Sequence, residues 1–401
     1  MKKIVSLVLA SLLAAASLTA CGGNDTKDPA TTGTSAVSGT TGGAAEGGTL
    51  IIGGIGPITG AAASYGTAVQ NGAQLAIDEI NAAGGVNGMK LSLDFQDDEH
   101  NPEKAIQAYN LLKDKGMKLL MGTVTSAPCT AVAELTAADN MFQITPSGSA
   151  VECVAEPNAF RVCFSDPDQG SASAEYIASH NLAKKVAVIY DSSDVYSSGI
   201  YAKFKATAAE KGLEIVSEQA FTSSNNQDFS VAISAIKASG AELVFLPIYY
   251  QQAALILTQA EQAALDVRYF GCDGLDSIIK QLGDDANLAE GVMLLTPYAP
   301  DSTEPKSKAF TDAYVAKFSI TPNQFAADAY DAIYTIKAAL EKADVKYADI
   351  SVSDLCDKLV AAMTQIEVDG VTGKMTWNAE GEPTKPAKAM VIKNGEYASL
   401  D

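Results

Sequence analysis

From Leu50 to Leu295, short runs rich in Val, Ile, Leu and Phe alternate with longer stretches of helical spacing, and this alternation is the strongest constraint on the fold. A strand, a helix and a second strand pack as a parallel pair with the helix over one face. A chain repeating that unit builds a parallel sheet covered by helices. The strand candidates are 50–55, 91–96, 118–121, 141–145, 159–163, 186–190, 213–219, 243–246, 267–270 and 292–295. After the first, Ala68, Gly72, Leu75, Ala76 and Ile80 recur near helical intervals and predict a helix over 65–82 that Gly84-Gly85 ends; Pro102 starts the next, over 101–115. Beyond Thr296 the pattern becomes helical over 306–318, 323–342 and 352–363 with no strand between.

The stretch 49–401 is longer than one hydrophobic core comfortably serves, which argues for two units. Asp166-Pro167 reads as a turn where the chain could pass from one to the other. The expectation is an α/β fold of two doubly wound parallel-sheet lobes joined by multiple crossings. Lobe 1 would take residues 49–168 and 298–375, and lobe 2 residues 169–297 and 376–401. The cleft between them, at the strand C-termini, is where such folds bind ligands.

The N-terminus carries a different message. Lys2 and Lys3 precede the apolar run Ile4 to Ala16, the charged head and short greasy core of a secretory signal over residues 1–20. That run falls short of the ~20 residues of a membrane span. Cys21 directly behind Leu18-Thr19-Ala20 resembles a bacterial lipobox, which implies cleavage before Cys21 and diacylation of its thiol. Two acyl chains anchor a protein stably. An ordinary signal peptide with a cysteine at the cut is the plainer alternative. Residues 22–48 are almost free of large apolar side chains, so 21–48 reads as a flexible tether with an end-to-end distance of roughly 30 Å.

The net charge of −20 repels phosphate backbones and argues against nucleic-acid binding. Of the six cysteines, Cys21 is spoken for, leaving Cys129, Cys153, Cys163, Cys272 and Cys356, an odd set. Outside the cell a pair would oxidise. Cys129 and Cys153 lie in loop-like, proline-flanked sequence and are the favoured disulfide, while the others read as small buried apolar residues.

Chemistry-bearing residues gather after the strands. Gly122 to Pro128, including Ser126, and the loop Pro146, Ser147, Gly148 and Ser149 offer hydroxyls and free N–H groups suited to an anion. Other strand ends deliver Tyr196, Tyr249 and Asp273, and Tyr65 opens the first helix. Donors for a carboxylate and one acid for an ammonium are what a free α-amino acid needs. Each element also has a plain structural use, since Ser and Thr after strands serve as helix N-caps and Asp273-Gly274 is a turn dipeptide.

Enzyme readings are weaker. Ser234-x-x-Lys237 and Ser277-x-x-Lys280 match a serine acylase motif, but no Lys-Thr-Gly or Ser-Asp-Asn follows. His100 and His180 lack metal-ligand spacing and a nucleophile, and Asp97 to His100 reads as a solvated acidic turn rather than a cation site. The loop Gly53-Gly54-x-Gly56 lacks the Gly-Lys-Ser/Thr of a phosphate loop. No catalytic group, metal or cofactor is expected.

Several motifs together resemble the leucine/isoleucine/valine-binding protein family, the substrate-binding lipoproteins of amino-acid ABC transporters with the type I periplasmic-binding fold. They are Gly56-Pro57-Ile58-Thr59-Gly60, Tyr65-Gly66, Asn81 to Gly88, Thr145 to Ser149, Phe160-Arg161-Val162 with Asp168-Gln169-Gly170, Gly271 to Gly274, and Gly373 to Trp377. The resemblance implies that Ser126 and Ser149 clasp a ligand carboxylate. The Ser147 carbonyl, Ser149 and Asp273 would take the ammonium; Tyr65, Tyr196 and Tyr249 would line the cleft and Phe325 the side-chain pocket. A family disulfide falls here on His100 and Thr125, a departure that leaves the first binding loop braced in some other way. The implied protein is a monomer at the outer face of the bacterial cytoplasmic membrane, binding a branched-chain or aliphatic amino acid for a membrane permease. A ligand sensor reporting to a receptor, or a binder of another small carboxylate or amide, is the alternative.

Overall fold

The computed structural model describes residues 47–385 and 387–400. The expected signal peptide, Cys21 and nearly all of the expected tether lie outside the described residues. Gly47 and Gly48, assigned to the tether, are tied to the body: Gly47 donates to Gly88 O at 3.3 Å and accepts from Ala348 N–H at 2.9 Å.

The chain runs β1 (Thr49–Gly56), α1 (Ala63–Ala82), β2 (Lys90–Asp97), α2 (Pro102–Asp114), β3 (Leu119–Gly122), α3 (Ser126–Ala138), β4 (Gln143–Thr145), β5 (Ala159–Arg161) and α4 (Asp166–Ser179). It continues β6 (Lys185–Asp191), α5 (Val195–Lys211), β7 (Glu214–Phe221), α6 (Ser230–Ser239), β8 (Leu243–Leu246), α7 (Tyr250–Gln262), β9 (Arg268–Gly271), α8 (Ile278–Leu282) and β10 (Met293–Thr296). Then come α9 (Pro305–Phe318), α10 (Gln324–Lys342), α11 (Val352–Met363), β11 (Glu367–Gly370), β12 (Gly373–Thr376), β13 (Lys388–Lys393) and β14 (Glu396–Ser399). Every expected strand and helix is present, with ends displaced by a residue or two.

The first sheet has the order β2-β1-β3-β4-β5 and is wholly parallel. The second has the order β14-β13-β10-β9-β8-β6-β7, parallel from β7 to β10 and antiparallel at β13 and β14. The antiparallel pair departs from the purely parallel expectation. Its hairpin is closed by Asn394 and Gly395, both at positive φ, a tight turn that lets a short C-terminal segment pair on the sheet's edge.

The chain leaves the first sheet after β5, returns after β10 to lay α10 along α1, and rejoins the second sheet at β13. The α1–α10 packing depends on Gly72, where a Cβ would stand 2.0 Å from Ala326 O. Gly170 does the same for α4 against α5, its would-be Cβ lying 2.4 Å from Ile200 O. Both sheets bury near-continuous apolar strands, such as Leu119 to Met121 and Leu243 to Leu246, as a sheet covered on both faces must. Among the described residues no helix is long and apolar enough to cross a membrane.

Candidate ligand-binding site

In each sheet the strand order reverses once, between β1 and β3 and between β6 and β8. At such a point successive connections leave in opposite directions and open a crevice at the strand C-termini. β1 leads to Tyr65 at the start of α1, and β3 to the loop Thr123–Thr125 and Ser126. β6 leads to Tyr196 and β8 to Tyr249, while the neighbouring β4 and β9 supply Ser147 and Asp273. These side chains meet around a void of about 10 Å³, lined also by Val124, Thr125, Gly274 and Phe325. So small a void means a shut cleft. Of the residues expected to touch ligand, Gly148 and Ser149 stand just behind this lining.

On the first lobe, two loops are locked together. Thr145 Oγ1 donates to Thr123 O at 2.6 Å and accepts from Gly148 N–H at 2.7 Å, and Ser147 Oγ donates to Val124 O at 2.6 Å. Ser126 Oγ accepts from the N–H groups of Ser149 and Ala150, each at 3.2 Å. Its acceptor capacity is used by the loop, and Ser149 Oγ lies 3.5 Å away, a contact in which either hydroxyl can donate. Beneath them the fully buried Arg161 donates to Gly148 O at 3.1 Å and Ala150 O at 2.9 Å, and pairs with Glu382 at 3.0 Å. Arg161 thus fixes the loop backbone from behind.

On the second lobe, Asp273 accepts from the Tyr196 hydroxyl at 2.7 Å, and its own N–H donates to Gln169 Oε1 at 3.2 Å. Tyr196 in turn accepts from Gly274 N–H at 2.9 Å. Burial pushes the Asp273 pKa up to about 7, with the Tyr196 hydrogen bond opposing it. A carboxylate held away from water with only uncharged hydrogen-bond partners around it, the Tyr196 hydroxyl first among them, is stabilised most by a cation.

Aromatic rings form the rest. Tyr65 stacks on Phe325 at 4.2 Å between centroids, and Tyr196 on Tyr249 at 4.7 Å. Tyr65 spans the cleft, its hydroxyl donating to Gly274 O at 2.6 Å and accepting from Tyr250 N–H at 3.3 Å.

A second buried acid, Asp166, stands behind the cleft loop, its N–H donating to Ser149 O at 2.9 Å, and was missed. Its residue is 1% exposed, and neither carboxylate oxygen has a hydrogen-bond partner among the described residues. Burial drives its pKa well above the usual range, and the nearby Ser149 and Arg161 lower it only in part. The expected turn at Asp166-Pro167 is instead the first turn of α4, which Ser165 caps by accepting from Asp168 N–H at 3.2 Å. The cap hides the buried acid beside it.

His100 and Thr125, where the resemblance places a family disulfide, are joined by a hydrogen bond of 2.9 Å between Nδ1 and Oγ1. Thr125 occupies the N-cap position of α3 without capping it. The His100 ring also meets Tyr249 edge-on across the cleft at 5.3 Å. The first binding loop is braced here by a polar contact.

Cys129 and Cys153 do not form the expected disulfide in this structure: they are free thiols, buried together with Ala150. Gln143 Nε2 donates to Cys129 Sγ at 3.4 Å, and Cys153 Sγ donates to Ser126 O at 3.7 Å. The thiols touch each other and the back of the first binding loop. Of the serine–lysine matches, Ser234 merely returns its hydroxyl to Ser230 O at 2.8 Å on an exposed helix face. The acidic turn is only partly solvated, against expectation: Asp97 accepts from Ile58 and Glu99 N–H groups at 3.0 Å each, while Asp98 is fully buried and accepts from His100 N–H at 2.8 Å.

The family model of periplasmic binding proteins matches residues 49–396. The chain belongs to that family. This periplasmic binding protein is 31% identical to the Leu/Ile/Val-binding protein BraC3 of Rhizobium johnstonii over 338 residues, 84% of this chain and 89% of the relative. It is 33% identical to the leucine-, isoleucine-, valine-, threonine- and alanine-binding protein of Pseudomonas aeruginosa over 291 residues, 72% of this chain and 77% of that one. Among solved structures it is similar to the branched-chain amino acid transporter substrate-binding protein LivJ of Streptococcus pneumoniae in complex with isoleucine. The TM-score is 0.79 and the identity 28%, covering 88% of this chain and 98% of that one. The relatives are named as binders, not enzymes, in keeping with the reading of the motifs.

Proposed function

We propose that this periplasmic binding protein is the extracytoplasmic receptor of an ABC importer and closes its two lobes over a free aliphatic amino acid. One observation carries the reading: a single cleft joins the Ser126 hydroxyl and interlocked N–H loops on one wall to the buried Asp273 carboxylate on the other. The first set matches a carboxylate and the second an ammonium. Ser126 and Ser149 take the carboxylate; Asp273 and the Ser147 carbonyl take the ammonium; Tyr65, Tyr196, Tyr249 and Phe325 enclose the side chain. The names of the relatives support leucine, isoleucine or valine as the ligand.

The lobe boundaries of this reading are 168/169, in the first turn of α4, 297/298, just past β10, and 375/376, within β12. Supporting an exported, lipid-anchored monomer are the Lys2-Lys3 head, the apolar run and Cys21 behind Leu-Thr-Ala. In an oxidising compartment, contact between Cys129 and Cys153 favours their disulfide, which would brace the back of the Ser126 loop.

Calorimetry of the purified protein with each amino acid in turn tests the proposal. A saturable heat for the aliphatic ones, lost when either the carboxylate or the ammonium is blocked, is the expected result. No binding of any amino acid would reject it.

A further inference from the structure

A second cavity lies on the far side of the wall that shuts the ligand cleft. Its volume is about 460 Å³, and both lobes bound it, with Ser64 and Ile320 on one side and Asp276, Met390 and Glu396 on the other. That volume falls in the roughly 300–1,000 Å³ range of small-molecule sites. Cross-lobe hydrogen bonds make the partition: the Tyr65 hydroxyl to Gly274 O at 2.6 Å, Gln324 N–H to Asp276 at 3.0 Å, and Asn323 Nδ2 to Ser277 Oγ at 3.2 Å. Ser64, Asp276 and Asn323 line this cavity, while their near neighbours Tyr65, Gly274 and Phe325 line the ligand cleft. The two spaces share one wall.

Its chemistry is specific. Leu294, Tyr298 and Met390 form a buried apolar surface, and Ile320, 49% exposed, stands among the lining residues without cover. Facing them are the carboxylates of Asp276, Asp301 and Glu396, with Lys280 the lone cation among the described lining residues. Asp276 is buried and accepts from Gln324 N–H, so it is fixed in place. Excess negative charge between apolar walls focuses a potential that draws in a cation.

We propose that this cavity is a second small-molecule site that takes an amphipathic amine, with its ammonium toward Asp276 and a compact apolar body against Leu294, Met390 and Ile320. An occupant touches both lobes only while they are closed, so it favours the closed arrangement and tightens binding in the neighbouring cleft, reciprocally. That coupling rests on the amino-acid reading above; the site does not.

The probe is phenethylamine, titrated by calorimetry into the full chain, with 4-bromophenethylamine soaked into crystals to place the bromine by anomalous scattering. Bromine density between Met390 and Ile320 and saturable binding are expected, with affinity about tenfold weaker in Ile320→Lys and in Asp276→Asn. Ile320→Lys changes an exposed side chain and leaves the fold intact, so its result stands even if Asp276→Asn misfolds. Phenylacetate should bind more weakly than the amine. No saturable heat, density only elsewhere, affinity unchanged in Ile320→Lys, or a preference for phenylacetate each overturns the site. A leucine titration alongside reads the coupling: tighter leucine binding in the presence of amine is expected, and unchanged affinity rejects the coupling. No binding of leucine, isoleucine, valine or any other amino acid, with or without amine, would reject the amino-acid reading and leave the bromine position to judge the site.

Discussion

Replacing Asp273 by Asn should separate what this residue does for the ligand from what it costs the protein. Asn keeps an oxygen for the Tyr196 hydroxyl, now at 2.7 Å, so the local network survives while the charge is lost. Without that charge a desolvated ammonium has only hydroxyl and carbonyl partners, a loss of about 3–5 kcal/mol. Converted at 1.4 kcal/mol per tenfold, affinity falls by roughly a hundred- to several-thousand-fold. The empty protein should move the other way. A carboxyl whose pKa rises from 3.8 to about 7 on burial in the closed cleft sets a ceiling of about 4 kcal/mol on the cost of its ionised form. The closed native state binds more protons than the unfolded chain between those values, so its stability falls as pH rises through them. Opening the cleft rehydrates Asp273 and recovers part of this. Asp273→Asn should therefore raise the Tm of the empty protein at neutral pH, with little effect at acid pH where the carboxyl is protonated in both states. Calorimetry with leucine and thermal melts at two pH values read both halves. An affinity within threefold of wild type, or lost binding together with a lower Tm, would refute the assignment, the latter by making Asp273 a structural residue.

Amino-acid binding should release up to one proton near neutral pH, because the ammonium requires Asp273 ionised where the closed empty form holds it protonated up to about 7; affinity then rises with pH toward that value and levels off above it, and titrations in buffers of different ionisation enthalpy measure the proton directly. Arg161→Met should lower stability by about 3–5 kcal/mol, since it leaves Gly148 O, Ala150 O and the Glu382 carboxylate without their buried partner; denaturant unfolding checks it, and a loss under 1 kcal/mol, about the scale of a surface pair, counts against the role. Intact mass of protein exported by a bacterial host should be lower by two hydrogens than that of the reduced form, and Cys129→Ser should abolish the difference. Cys21→Ser should move the protein from the membrane fraction to the soluble one, and retention after a high-salt wash would count against the anchor.

The sheets were legible because β3 and β8 are buried on both faces and read as unbroken apolar runs, and the helices between them are long enough to show their period. The C-terminal strands were not. β11 and β12 are four residues each, half exposed and paired only with each other, and β13 finds its place by contact with β10, far back in the chain. That the residues following strands gather at one cleft could be read, since a doubly wound fold commits every such loop to the same edge. Thr125 shows where that reasoning stops. Its place before α3 predicts a cap, but its hydroxyl has a stronger claim from His100, twenty-five positions away, and no local pattern announces such a partner. Asp166 is the converse case, a real helix start that conceals a buried acid.

The ligand side chain stays illegible for a related reason. Phe325, Tyr65, Tyr196 and Tyr249 arrive from four separate elements, and in the shut cleft they leave only about 10 Å³ between them. On the proposed function an amino acid has to part the stacked pairs Tyr65–Phe325 and Tyr196–Tyr249. Each methylene that it then buries contributes about 0.8 kcal/mol, so leucine and valine differ by about fourfold from burial alone. Any sharper preference must come from how far Phe325 can move away from Tyr65 before the Tyr65 bond to Gly274 O breaks. That bond is one of the cross-lobe hydrogen bonds of the shut cleft, which on the proposed function ties the size of an acceptable side chain to the ability to close over it.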